Sequence, residues 1–96
     1  MGQILSLKFL YNEQEYYSLL RVKEKEAKKE YHITIMNGEL ESRLFGNHIV
    51  TEVDGLITVD LPRDRELAQL KLQIAEELSR YLNRQMVIHS SATQPC

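Results

Sequence analysis

Residues 63–85, RDRELAQLKLQIAEELSRYLNRQ, decide the architecture. Within them Leu67, Leu70, Ile74, Leu78, Tyr81 and Leu82 recur at helical spacing, while Glu66, Gln69, Gln73, Glu76, Glu77, Arg80 and Arg84 fall on the opposite side. One apolar stripe of this length needs a sheet to lie on. Asp64 is the expected N-cap, with Asp60 ahead of Pro62 as the alternative start, and Glu76 and Arg80 stand at the favourable i, i+4 spacing. Leu72 lies off the stripe, beside Ala68, Ala75 and Met86.

Everything upstream alternates with the period of two that strands require. Over residues 3–11, Leu5, Leu7, Phe9 and Tyr11 form the expected core face. A polar turn at Asn12-Glu13-Gln14 leads to a second strand over residues 15–25. In it Tyr16, Ser18, Leu20 and Val22 oppose Tyr17, Leu19, Arg21 and Lys23, and either set could face the core. The mixed charge run from Lys23 to Glu30 reads as a solvated loop. Tyr31, Ile33 and Ile35 then alternate up to Asn37-Gly38, a dipeptide suited to the positive φ angles of a two-residue type I′ turn. That turn pairs Met36 with Glu39, Ile35 with Leu40, His32 with Arg43 and Tyr31 with Leu44, so the apolar residues share a face.

Gly46-Asn47 is the next expected turn, pairing Phe45 with His48 and extending the core face through Ile49, Thr51 and Val53. A further hairpin at Asp54-Gly55 then creates a conflict. Two-residue pairing of Val53 with Leu56 and Thr51 with Thr58 puts Ile57, Val59 and Leu61 on the other side, along with Val50 and Phe45. Either a bulge restores the register or the sheet is apolar on its second face. Pro62 ends the strands. Met86-Val87-Ile88 forms a short added strand or docks under the sheet edge.

The expected fold is therefore α+β: a six-stranded, mostly antiparallel meander sheet with one long C-terminal helix packed on one face. The alternative is a partly closed barrel plugged by the helix. In element order alone, and one strand short, that alternative is similar in outline to pleckstrin-homology-like domains. At 96 residues there is room for one domain, assigned to residues 1–88, with residues 89–96 expected to be a disordered tail.

Composition narrows the function classes. Twelve basic and fourteen acidic side chains give a net charge of −2, which lacks the basic face of a nucleic-acid binder. Cys96 is the lone cysteine, so an intrachain disulfide is impossible and a reducing, cytoplasmic setting is expected. No signal-peptide pattern opens the chain and no apolar run approaches the ~20 residues of a membrane-spanning helix. Met1-Gly2-Gln3-Ile4-Leu5-Ser6 matches a degenerate pattern for lipidation at Gly2, in competition with the first strand.

Reactive constellations are sparse. His32, His48 and His89 have no metal-ligand spacing, the serines lie outside any nucleophile-elbow pattern, and the glycines are scattered singly. Glu39, Glu41 and Glu52 are expected on the second face near Arg43, which makes a solvated cluster. No catalytic residue, cofactor or metal is assigned, and the reading leans away from an enzyme. The expected function is a non-catalytic interaction or scaffold module that self-associates as a homo-oligomer or binds a protein partner. Its candidate interface is Phe45, Val50, Ile57, Val59, Leu61, Leu72 and Met86. The alternative is a small-molecule binding domain with a tyrosine-lined pocket between helix and sheet.

Overall fold

Alternation carries the chain through three long strands before any helix forms. The computed structural model describes residues 3–44 and 47–90, the last two by backbone alone. β1 spans Gln3–Tyr11, β2 Gln14–Lys25 and β3 Lys28–Ile35. The turn between β1 and β2 has positive φ at both Asn12 and Glu13. This is the I′ geometry whose twist matches the flanking strands, reached without glycine. The charge run expected to be a loop is instead the end of a hairpin, with Glu24 paired to Lys29 and Lys25 to Lys28. Opposite charges face each other at Lys23–Glu30 and Glu24–Lys29, and Lys25, set against Lys28, turns its ammonium group to Glu30 at 3.4 Å, so only Glu26-Ala27 is left to turn. Leu5, Leu7, Phe9 and Tyr11 are buried as expected, and on β2 the core set is Ser18, Leu20 and Val22.

At Asn37 the chain departs from the expected hairpin. Residues Gly38–Arg43 form a short helix, α1, and Asn37 is its N-cap, with φ −157° and its side chain accepting from the Leu40 amide at 3.1 Å. Asparagine serves a cap as well as a turn, and the acidic residues Glu39 and Glu41 in the first turn favour the helix. Leu40 and Leu44 are both buried, because a spacing of four satisfies a helix face as readily as a strand face. The pairs expected from Met36–Glu39 to Tyr31–Leu44 give way to pairing of β3 with β4, Ile49–Val53. Phe45 and Gly46 lie outside the described residues.

β4 turns at Asp54-Gly55 into β5, Leu56–Leu61, with Val53 opposite Leu56 and Thr51 opposite Thr58. The two-residue turn therefore holds without a bulge, with φ of 52° and 80° at its central residues. The conflict in the sequence reading came from the expected core face of β4. Val50 and Glu52 point inward while Ile49 and Val53 are exposed, which puts Ile57 and Val59 in the core.

The long helix α2 is Arg65–Leu82. Asp64 caps it by accepting from the Leu67 amide at 3.0 Å. Asn83 stops it in the left-handed conformation, with Asn83 N–H bonded to Arg80 O and Arg84 N–H to Ser79 O, the paired bonds of a Schellman ending. Leu70, Ile74 and Leu78 are fully buried, and Leu67 and Leu82 pack at the rim. Tyr81, expected on the stripe, is exposed. Its place inward is taken by Ala75 and Lys71, so the buried face is rotated from the one expected.

A final strand, β6, Gln85–Ser90, lies parallel to β5, as a helical crossover demands. It continues through residues 89 and 90, beyond the boundary expected for the tail, and residues 91–96 lie outside the described residues. The six strands follow chain order in one mixed sheet, mostly antiparallel, curled into a half-barrel around α2. The expected six strands thus survive as a number with one exchanged: α1 replaces the fourth and β6 supplies the last.

Candidate functional site

Three polar arrangements stand out, apart from the fully buried Ser18, whose hydroxyl donates to the Leu7 carbonyl at 3.3 Å. The first joins β3, β4 and the exit of α2. Tyr31 donates its hydroxyl to Glu52 Oε1 at 2.6 Å, and Arg84 Nε reaches Glu52 Oε2 at 3.3 Å. Glu52 is only 8% exposed, and a buried carboxylate is tolerable because both oxygens are engaged. Burial, followed by the bond to Glu52, pushes the Tyr31 phenol well above its ordinary value. A phenol held neutral beside a paired carboxylate is a clamp rather than a proton donor for solvent-borne chemistry.

The second is Lys71 on α2. Its side chain is almost fully buried, and Nζ donates to the backbone carbonyl of Asp60 at 2.7 Å. Burial lowers its ammonium pKa and the nearby Asp60 charge opposes that shift. The third centres on Glu41 of α1. Ile33 N–H bonds His48 O at 2.7 Å, but once α1 leaves the sheet no strand among the described residues meets the amide of Ile35. Glu41 Oε1 accepts from Ile35 N–H at 2.8 Å in its stead, and Glu41 Oε2 lies 3.1 Å from His48 Nε2. The helix side chain substitutes for a missing strand carbonyl.

The remaining residues named from sequence are scattered. His32 faces Glu30 at 3.1 Å rather than Arg43, and with Lys25 at 3.4 Å it holds the Glu30 carboxyl below its ordinary value. Arg43 instead reaches across to Glu66 on α2 at 3.1 Å. Glu39, Glu41 and Glu52 do not assemble, since Glu52 points into the core. Among the described residues no three His, Cys, Asp or Glu side chains converge as metal ligands. No helix among them is long and apolar enough to cross a membrane. Gly2 lies outside the described residues.

The expected interface does not form one surface. Val50, Ile57 and Val59 are fully enclosed in the core under α2, and Leu61 and Met86 pack partly buried against it. Leu72 is half-buried on α2 and Phe45 is outside the described residues. Two surface hollows lie beside the Glu26-Ala27 turn. One of about 260 Å³ is lined by residues including Glu24, Lys29, Glu52 and Asp54, and one of about 500 Å³ by Lys25, Glu26, Ala27, Lys28 and Val53. Both are open to solvent and bordered mainly by charged side chains of the hairpin end. Another, of about 260 Å³, lies between Arg43 of α1 and Asp64, Glu66 and Leu67 at the start of α2.

What the sequence reading missed is the outer face of the first three strands. Ile4 (61% exposed), Leu10 (54%), Tyr17 (56%) and Met36 (61%) all stand there. The signal was present in the alternation: Ile4 and Leu10 on β1 and Tyr17 and Leu19 on β2 are the apolar members of the set opposite the core. A scan against protein-family models, a search of curated proteins and a search of solved structures each return no match.

Proposed function

We propose that the protein is a non-catalytic interaction module that acts by associating with a second copy of itself. The observation that carries this reading is the placement of large exposed apolar side chains. Ile4 and Leu10 stand on the outer face of β1, Tyr17 on that of β2 and Met36 just past β3, and among the described residues the far side of β1 pairs with no other strand. Apolar area on that scale loses its contact with water when another surface covers it. The opposite, concave face is already filled by Leu70, Ile74 and Leu78 of α2, so the outer face and its edge are what remain for a partner. A reducing cytoplasm suits a chain with one cysteine. Sedimentation equilibrium across the micromolar range tests the reading. A mass that rises to twice that of the chain supports it, and a single monomeric species throughout sinks it.

A further inference from the structure

We infer that two copies join through β1, strand against strand and antiparallel, in the register centred on Leu7, which merges two half-barrels into one continuous sheet. The inference rests on the self-association reading and specifies its surface. β1 is a nine-residue strand at the end of the sheet order, longer than the six-residue β6 at the other end. An edge of that length offers a row of unpaired backbone groups to another chain.

Which groups are free follows from the ladder. Met36 N–H bonds Tyr17 O, so the odd-numbered residues of β2 bond toward β3 and its even-numbered residues toward β1. The β1 partners of those even residues are odd, since Leu7 faces Ser18 and Phe9 faces Tyr16. The tight turn at Asn12-Glu13 agrees, because it closes on Tyr11 and Gln14 as a hydrogen-bonded pair. The amides and carbonyls of Ile4, Ser6, Lys8 and Leu10 therefore point away from β2, into the free edge. A second β1 can satisfy them only in registers that set even residues against even residues.

Side chains choose among those registers. Centred on Leu7, Ile4 stands opposite Leu10 of the second copy and Ser6 opposite its Lys8. The two end rows of the outer face then read Glu15, Leu10, Ile4 of the second copy, Arg21 of the second copy, and the two central rows Tyr17, Lys8, Ser6 of the second copy, Leu19 of the second copy. This follows because Leu10 faces Glu15, Ile4 faces Arg21, Lys8 faces Tyr17 and Ser6 faces Leu19 within one chain. In the end rows apolar residues meet and opposite charges flank them, and in the central rows each Lys8 meets a serine rather than a second ammonium group. Centred on Ser6, Ile4 would meet Lys8; centred on Lys8, two ammonium groups would face each other across the axis. Like charges directly opposed weaken a sheet, and apolar pairs strengthen it. Lys8, the edge's usual safeguard against unwanted pairing, is held toward Glu15 of its own hairpin at 3.7 Å and does not obstruct the central register. The two-fold makes the contact isologous, so it closes as a dimer and does not propagate.

The test uses the full chain with Cys96→Ser and single cysteines at positions 6 and 8. Residues opposed in a hydrogen-bonded pair have Cα atoms about 5.5 Å apart, within disulfide reach. The inferred register predicts that Ser6→Cys and Lys8→Cys proteins, oxidised together, yield a covalent heterodimer that neither yields with itself. Cross-linking of Ser6→Cys alone or Lys8→Cys alone in preference to the mixture would overturn the register. Ser6→Pro supplies the second measurement: it removes an amide that β2 does not use, so the monomer keeps its circular dichroism while association is lost. A dimer that persists in Ser6→Pro overturns the β1 contact and leaves self-association standing through another surface. A wild-type chain that stays monomeric at every concentration removes both.

Discussion

The Tyr31 hydroxyl lies 2.6 Å from Glu52 Oε1, deep enough that the two side chains are 2% and 8% exposed. Arg84, arriving from the end of α2, takes the other carboxylate oxygen. One charged group thus ties β3, β4 and the helix exit together where the core would otherwise carry an unpaired charge. Tyr31→Phe should cost about 1–3 kcal/mol, the range for leaving a buried acceptor without its donor, read as a lower urea midpoint at unchanged slope. Combining it with Glu52→Leu should recover part of that loss, because an apolar pair leaves no buried charge and Arg84 can turn to water.

Tyr31 also sets an alkaline limit. Its folded-state pKa is raised above the ordinary 10.0, by burial first and by the Glu52 bond second. Below that ordinary value both folded and unfolded chains keep the proton, so the contribution to stability is whole. Above it the unfolded chain releases the proton while the folded chain holds it, so stability falls with each further rise in pH. Urea midpoints from pH 9 to 11.5 should decline more steeply for the wild type than for Tyr31→Phe. Parallel declines would show that this phenol titrates freely.

Lys71 works in the opposite direction. Burial lowers its folded-state pKa, with Asp60 offsetting part of the shift, so the fold disfavours the charged form. The full stability is present above the ordinary lysine value, and a penalty appears as pH falls through the folded one. At pH 7 the wild type carries that penalty. Lys71→Met, similar in length and apolar, should therefore raise stability by about 1 kcal/mol at pH 7, with the advantage shrinking as pH approaches 10.5. A variant less stable than wild type at pH 7 would mean that the bond from Nζ to Asp60 O outweighs the burial cost.

These polar ties explain what could and could not be read from the chain alone. β1 and α2 were legible because each repeats its own period over many residues, and Asp64 and Asp54-Gly55 served the local roles their chemistry suggests. β4 was read inside out because its true core face includes Glu52. A carboxylate goes inward only when partners await it, and Tyr31 and Arg84 are 21 and 32 positions away. Asn37-Gly38 was ambiguous for a different reason: asparagine suits both a type I′ turn and a helix cap, and Leu40 and Leu44 fit either period. Because Val50, Ile57 and Val59 follow β4 to the wrong side, three of the seven residues of the expected contact surface are core residues.

Glu41 offers a direct check on that ambiguity. Its Oε1 accepts the Ile35 amide, which meets no strand among the described residues. Glu41→Ala should cost about 1–3 kcal/mol by orphaning that amide. Glu39→Ala, on an exposed neighbour in the same first turn, should stay within about 0.5 kcal/mol. Amide exchange read by NMR should show Ile35 deprotected in the first variant and unchanged in the second. Equal effects of the two substitutions would mean that α1 is held only by its own turn chemistry.

The orientation of α2 can be settled by a pair of truncations on the helix itself. Ile74 is fully enclosed, whereas Tyr81, one helical stripe neighbour by sequence, is 60% exposed. Ile74→Ala removes buried methylenes and leaves a cavity among side chains that cannot fully collapse into it, a loss of roughly 2–5 kcal/mol. Out of a total stability of about 5–15 kcal/mol, that is enough to populate unfolded chain near physiological temperature. Tyr81→Ala removes a larger side chain yet should change stability by less than about 0.5 kcal/mol, because its ring stays largely in water on both sides of the folding equilibrium. If the two losses were comparable, the helix would have to roll about its axis until Tyr81 faced the sheet. That roll would carry Lys71 off the Asp60 carbonyl and out toward water, so the stability difference between wild type and Lys71→Met would then lose its pH dependence as well.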